Sequence, residues 1–227
     1  VHFHKHYNTY GVDENKLDLI FKAYDVRGVF NETITPEIGF KVGAAFASYV
    51  DSDEIIVGHD GRLSNNEMFR AVCSGIQNIN KKVLYVGTVP TDVVYTLSGI
   101  KNLPGLIITA SHNPKQYTGF KFCNNGATAI GQETGLREIK KLAENFNEEF
   151  KILDLPPKKN MVDLYLKHFK KIVDTSEISE TVKFCIDGGN GVLGSIIDDL
   201  SKTYNLNYEG LFMDVDGNFP NHPADPS

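Results

Sequence analysis

An α/β protein is predicted, built as two consecutive α/β domains with mixed, mostly parallel sheets of related topology, the second incomplete. Three observations carry this. Short apolar runs alternate with stretches of helical period along the first two thirds of the chain. The runs end in glycine, Asp-Gly or Ser-His-Asn-Pro turns, as strands in βα units do. Composition then shifts: residues 147–160 collect Glu148-Glu149, Pro156-Pro157 and Lys158-Lys159, which reads as a linker and divides the chain into 1–150 and 151–227.

The elements follow in order. Thr35-Pro36 predicts a helix start, with Thr as N-cap and Pro at the first helical position; Ile38, Val42, Phe46 and Tyr49 recur behind it at helical spacing. Glu54 to Gly58 is a short buried strand running into the turn His59-Asp60-Gly61-Arg62. Ser64-Asn-Asn-Glu67 has the pattern of a capping box, and Met68, Val72, Ile76 and Ile79 face one way after it. Lys82 to Val86 is the next strand. Val93, Val94 and Leu97 predict a helix ending before Gly99, and Gly105 to Thr109 the following strand. A helix is expected from Gly131 to Phe146, with the stripe Leu136, Ile139, Leu142 and Phe146. Beyond the linker, Met161, Leu164, His168, Phe169 and Ile172 form one more helical stripe, in which His168 is expected to pack rather than to ligate. A second α/β unit starts at Val182 to Asp187, turns through Gly188-Gly-Asn-Gly191 into a helix to about Lys202, and returns as a strand over Asn207 to Met213. It repeats the first unit's outline of strand, Asp-Gly turn, helix and strand. Two strands make no independent sheet, so either chain beyond Ser227 completes it, which is the expectation, or this half leans on the first.

Composition excludes several classes. A net charge of −6 is wrong for a general nucleic-acid binder. No apolar run approaches the roughly 20 residues of a membrane span. His2, His4, Lys5 and His6 interrupt any leader-like apolar stretch; their alternation would suit a metal tail, but an edge or frayed segment is expected. Cys73, Cys123 and Cys185 are odd in number and far apart, which points to buried thiols in a reducing cytoplasm.

Chemistry concentrates at Gly105-Leu-Ile-Ile-Thr-Ala-Ser-His-Asn-Pro114, followed by Gly119-Phe-Lys-Phe122. The strand delivers Ser111, His112 and Asn113 at its carboxyl end, where open α/β sheets place ligands. Ser111 and His112 are neighbours expected to point apart, and the G-x-S-x-G elbow is absent, so a hydrolytic triad is not expected. A serine that carries a phosphoryl group fits better: Asn113 and loop N–H groups can donate to phosphate oxygens, and Arg27, Arg62 and Lys121 can balance the charge. Asp25 and Arg27 equally suit a plain surface ion pair. A rival lies at Gly189-Asn-Gly-Val-Leu-Gly194, which has the G-x-G-x-x-G spacing of a dinucleotide loop after a strand, with Glu209 and Asp214 near the expected acidic position; Asp187 before the glycines would repel a pyrophosphate.

At these residues the sequence resembles the α-D-phosphohexomutase family, in its phosphomannomutase/phosphoglucomutase branch. Thr109-Ala-Ser-His-Asn-Pro114 resembles the family's phosphoserine loop, and Gly119-Phe-Lys121 its general acid/base segment. Ala23-Tyr-Asp-Val-Arg-Gly28 is similar to the branch's N-terminal signature, where the glucosamine branch would show Gly-Thr-Asp-Gly. Val57-Gly-His-Asp-Gly-Arg-Leu-Ser64 is similar to its second loop, with His59 where Arg is commoner. Asp187-Gly-Gly-Asn-Gly191 and residues 214–226 resemble second-domain segments, so the likeness runs from about residue 20 to the end.

The resemblance implies a hexose 6-phosphate/1-phosphate mutase. Phosphorylated Ser111 would pass its phosphoryl group to a hexose phosphate, and a hexose bisphosphate would reorient and return one. Lys121 would be the general acid/base, helped by Arg27, with His112 among the catalytic groups. Tyr24, Arg62 and Asn113 would line the substrate and phosphate site. Mg²⁺ would be bound through the Ser111 phosphoryl group, but the family's Asp-Gly-Asp-Gly-Asp-Arg metal loop is not found here. The resemblance therefore implies the N-terminal part of a longer mutase, inactive alone, with the other metal ligands elsewhere; it leaves the preferred sugar and the oligomeric state open. The alternatives are a dinucleotide module on Gly189 to Gly194 and a non-catalytic relic.

Overall fold

The computed structural model describes residues 16–176 and 181–225; the alternating histidines His2, His4 and His6 lie outside them. In chain order the elements are α1 (Lys16–Ile20), β1 (Val26–Val29), α2 (Pro36–Tyr49), β2 (Glu54–His59), α3 (Asn65–Asn78), β3 (Lys82–Thr88), α4 (Thr91–Lys101), β4 (Gly105–Ile108), β5 (Tyr117–Asn124), β6 (Thr128–Ala129), α5 (Leu136–Glu144), α6 (Val162–Ile172), β7 (Lys183–Asp187), α7 (Ile197–Tyr204) and β8 (Asn207–Leu211).

The main sheet has the order β1-β5-β4-β2-β3, with β6 also pairing β5. Helices α3 and α4 connect β2, β3 and β4, and these strands pair in parallel, β3 and β4 flanking β2. No helix separates β4 from β5, only the loop at 109–116, so the chain reverses directly and β5 runs antiparallel to β4 and to β1. The mixed sheet expected from the sequence thus has a parallel part and an antiparallel edge, and the serine loop is the hinge between them.

Strand alternation sends side chains to two cores. Ile55, Val57, Leu106, Ile108 and Phe120 face α2, α3 and α5, through Phe46, Val72, Ile76 and Leu136. Ile56 and Ile107 face the other way, against Val94 and Leu97 of α4, Tyr165 and Leu166 of α6, and Ile196 just before α7. Helix α6 and, through Ile196, the second unit therefore lean on the back of the first sheet. Its own sheet is the parallel pair β7-β8. The linker packs as well: Lys159 N donates to Tyr85 O on the edge strand β3 (2.7 Å), and Leu153 N donates to Ser74 Oγ (2.9 Å).

Several local expectations change. Thr35 caps α2, its Oγ1 accepting from Ile38 N at 3.4 Å. Ser64 makes no capping bond to α3 and its hydroxyl is buried without a partner; Asn65 turns back instead, its Nδ2 donating to Asp60 O and Oδ1. Helix α4 runs through Gly99 to Lys101. The helix expected from Gly131 begins only at Leu136, after a 3₁₀ turn and Gly135 at φ 133°; there Leu142 is exposed and Ala143 buried. The buried face of α6 is Tyr165 and Leu166, leaving Ile172 exposed, because α6 docks through Tyr165, whose hydroxyl donates to Asp92 Oδ2 (2.6 Å). Cys73 and Cys123 are buried, but Cys185 is exposed, because only one face of β7 is covered.

Helices α2 and α3 meet backbone to backbone. A Cβ at Gly75 would stand 2.0 Å from Phe40 O, and one at Gly43 2.4 Å from Val72 O. At Gly99 the nearest atom to an added Cβ is Ala127 Cβ at 3.7 Å. Gly75→Ala should therefore destabilise the fold by about 1–3 kcal/mol or more through overpacking. Gly99→Ala should be neutral or add about 0.4–1 kcal/mol by restricting the unfolded chain. Urea unfolding of both variants checks this; equal midpoints would contradict the close helix crossing.

Candidate active site

The loop between β4 and β5 is held from beneath by side chains of the β2–α3 turn. Asp60 follows β2 directly and is buried. Its Oδ1 accepts from Arg62 N (3.0 Å), and its Oδ2 accepts from Arg62 Nε (3.2 Å) and Thr109 Oγ1 (2.7 Å). Arg62, with a side chain only 1% exposed, reaches up into the loop. Nη1 donates to Pro114 O (2.7 Å) and Tyr117 O (3.1 Å); Nη2 donates to Ser111 O (2.7 Å) and Asn113 O (2.6 Å). The Phe219 ring lies 5.4 Å from its guanidinium carbon. Burial pulls the Arg62 pKa down and Asp60 opposes the shift. Arg62 was expected to face a phosphate; its donors are all engaged inside the protein, so it acts as the anchor of the loop.

Above the anchor, Ser111 adopts φ 54°, in the left-handed region that a residue with a side chain seldom enters. Its N–H donates to Thr109 Oγ1 (3.0 Å), and Asn113 closes the turn twice on Ala110 O, through N (3.1 Å) and Nδ2 (3.0 Å). The Asn113 amide is thus part of the turn. The left-handed kink also corrects the expectation that Ser111 and His112 point apart: Ser111 Oγ and His112 Nδ1 are 3.4 Å from each other, both residues being exposed. That is longer than the usual reach between a nucleophile and its base.

A second cluster forms where β1 crosses β5. Arg27 pairs with Gly119 and Val26 with Phe120 in the antiparallel register, so Asp25, Arg27 and Lys121 project from one face. Asp25 is buried, and its Oδ2 accepts from both Arg27 Nη2 (2.5 Å) and Lys121 Nζ (3.0 Å). Arg27 and Lys121 are thus brought together by a carboxylate that the sequence offered only as a surface partner. Its position two residues from Arg27 on a strand was the available signal. Tyr24 is 80% exposed.

A cleft of about 470 Å³ separates the serine loop from the second unit. Ser111, His112 and Thr109 line one wall; Asp187, Asn190 and His222 line the other. Arg27, Lys121 and Tyr24 do not line it. His222, which nothing in the sequence singled out, has Nδ1 2.8 Å from Pro223 O and Nε2 3.3 Å from Asp187 Oδ2. Both ring nitrogens face acceptors, which suits the imidazolium; the Pro223 carbonyl and then Asp187 raise its pKa.

A sequence model described as phosphoglucomutase/phosphomannomutase, alpha/beta/alpha domain I, matches residues 18–150. The chain belongs to this family. It is 35% identical over 211 residues to a phosphomannomutase/phosphoglucomutase of Pseudomonas aeruginosa, covering 91% of this chain and 44% of that protein. A phosphoglucomutase of Neisseria meningitidis is 35% identical over 213 residues, covering 92% and 45%. The crystal structure of a phosphoglucomutase/phosphomannomutase family protein from Burkholderia thailandensis superposes with a TM-score of 0.78 at 31% identity, covering 90% of this chain and 46% of that one. The chain thus spans about half the length of the relatives it matches.

Within this family fold the glycine-rich turn is not a nucleotide cradle. Gly188 N donates to Leu211 O, Gly189 N to Asp187 Oδ1, Asn190 N to Phe212 O and Gly191 N to Gly188 O, all at 2.7–2.8 Å, so the four amides from Gly188 to Gly191 are already bonded within the protein, and Asp187 stands beside them. Among the described residues no group of three or more His, Cys, Asp or Glu side chains is arranged to hold a metal ion, which leaves Ser111 without a carboxylate cluster around it. Among the same residues no helix is long and apolar enough to cross a membrane.

His59, where the resemblance implied an arginine, is held as a neutral ring. Its Nδ1–H donates to Asp60 O (2.7 Å), Nε2 accepts from the Tyr85 hydroxyl (2.9 Å), and the ring stacks on Tyr85. Burial lowers its pKa below 6.5, with the Asp60 carbonyl opposing. The unfolded chain therefore binds this proton first, and stability present above pH 6.5 is lost as pH falls through the lowered value. His59→Gln should flatten that fall, so the stability gap between wild type and variant narrows in acid. Parallel pH dependences of urea unfolding would refute the assignment.

Proposed function

We propose that this chain carries the phosphoryl-transferring part of a hexose-phosphate mutase, with Ser111 as the carrier. The observation that supports this most is the presentation of Ser111: an exposed hydroxyl at a left-handed apex, at the carboxyl end of a central strand, on a loop anchored by a buried arginine. A nucleophile held this way keeps one position while a bulky substrate changes orientation.

In the forward half-reaction a hydroxyl of the hexose phosphate attacks the phosphorus carried on Ser111. The new sugar O–P bond forms as the Ser111 Oγ–P bond breaks. The sugar hydroxyl gives its proton to a base, and Ser111 Oγ ends protonated. After the hexose bisphosphate reorients, the same steps reverse at the other position. Lys121 is the proposed acid/base and Arg27 its helper; Asp25 holds both cations side by side. His112, close to Ser111 Oγ, is the proposed donor to the transferring group, and Asn113 keeps the turn closed. Arg62 acts from below. Tyr24 is a candidate contact for the sugar.

Such a transfer would draw on Mg²⁺ to offset charge on the phosphoryl oxygens at Ser111. The described residues do not offer it a binding set. The division into 1–150 and 151–227 is part of the same proposal, supported by the family match ending at residue 150. A reducing cytoplasm is proposed from the three free thiols.

Incubation with glucose 1,6-bisphosphate should add one phosphoryl group, read by intact mass and absent in Ser111→Ala. Lys121→Met should slow that uptake by roughly 10²–10⁴-fold without changing its extent at completion. Failure of the wild-type chain to take up a phosphoryl group would favour the non-catalytic relic.

A further inference from the structure

The anchor under the serine loop has a consequence for the loop's upper surface. Arg62 draws four carbonyls inward, those of Ser111, Asn113, Pro114 and Tyr117. A trans peptide unit is planar and points its N–H opposite to its C=O. No cis peptide occurs among the described residues. With Ser111 O drawn down, the N–H of His112 points up and away from Arg62; with Pro114 O drawn down, so does the N–H of Lys115. The unit between Asn113 and Pro114 has no N–H to present, because residue 114 is proline. Neither the His112 nor the Lys115 amide has an acceptor among the described residues, whereas Ser111 N and Asn113 N are bonded within the loop. Beside these amides lie the exposed Lys115 and His112 side chains and a second cavity of about 520 Å³, which both residues line and which shares His112 with the Ser111 cleft.

We propose that Arg62 is a positioning residue that turns the β4–β5 loop into a receptor for a phosphate monoester dianion, bound by the outward amides of His112 and Lys115. One buried guanidinium sets the direction of two peptide units of the loop: the carbonyls of Ser111 and Pro114 down, the amides of His112 and Lys115 up. Concave sets of backbone N–H groups beside a left-handed residue bind anions, and Ser111 is that residue here. The proposal rests on the reading of Ser111 as a phosphoryl carrier for its biological ligand, but not for its physical content. The dianion is either the phosphoryl group on Ser111 or a phosphate carried by the sugar.

The geometry is specific to arginine. A lysine at position 62 keeps the charge but has three donors on one nitrogen, and it cannot reach four carbonyls and Asp60 as a planar fork does. Loss of the clamp would let peptide units rotate and scatter the two amides while β4 and β5 remain paired.

The test follows backbone amide resonances of the chain during addition of inorganic phosphate, with chloride at equal ionic strength as control. Saturable shifts at His112 and Lys115 are expected in wild type. Arg62→Lys, with its near-ultraviolet circular dichroism retained, should bind phosphate at least tenfold more weakly. A wild-type chain whose two amides ignore phosphate, or a folded Arg62→Lys chain of unchanged affinity, overturns the proposal; should Arg62→Lys not fold, the wild-type titration alone decides. Repeating the titration on chain loaded at Ser111 separates the two sources. Amides already shifted and no longer responsive assign the receptor to the Ser111 phosphoryl group; amides that still titrate assign it to a sugar phosphate. Phosphoryl uptake is read independently by mass, so uptake without an amide response removes this proposal alone, and an amide response without uptake removes the carrier reading alone.

Discussion

A single buried guanidinium constrains the functional surface. Arg62 is out of water, paired with Asp60 and bonded to four carbonyls of the loop that bears Ser111. A buried charge is tolerated only when paired and fully hydrogen-bonded, and removing one partner of such a pair typically costs about 3–5 kcal/mol. The loop therefore has little freedom to leave the arrangement that satisfies Arg62, and the unusual backbone of Ser111 is held by it. Thr109 ties the strand end to the same carboxylate, so β2, β4 and the loop converge on Asp60.

The reversal of chain direction at this loop matters equally. The first connections use helices and keep the strands parallel; this one uses eight residues, 109–116, and turns β5 back. β5 can then accept β1 as an antiparallel neighbour, and that pairing places Asp25, Arg27 and Lys121 on one face. Two charged groups of different character thus stand near the same loop: a buried, saturated arginine below it, and a partly open pair of cations sharing one carboxylate beside it.

The second unit contributes a wall. Its two-stranded sheet is too small to stand alone, and Tyr165, Leu166 and Ile196 join the core on the back of the first sheet. This docking brings Asp187, Asn190 and His222 opposite Ser111. The glycine-rich turn serves internal bonding, its amides from Gly188 to Gly191 each donating within the second unit.

Order of elements, the exposed serine at a strand end, the Thr35 cap and the family were legible in the sequence, because periodicity, turn chemistry and short motifs act over a few neighbouring residues. Partner choice was not. Arg62 finds Ser111 across 49 positions and Lys121 finds Asp25 across 96, and each pairing depends on strand register and on which side of the sheet a loop returns. Ser64 could not be told from a cap, nor Asn113 from a phosphate donor, since both have the right atoms and differ only in what lies within reach. Sequence determined that a serine would be offered on a loop; tertiary structure decided that four of that loop's carbonyls face a buried cation, because only packing settles which groups must satisfy one another away from water.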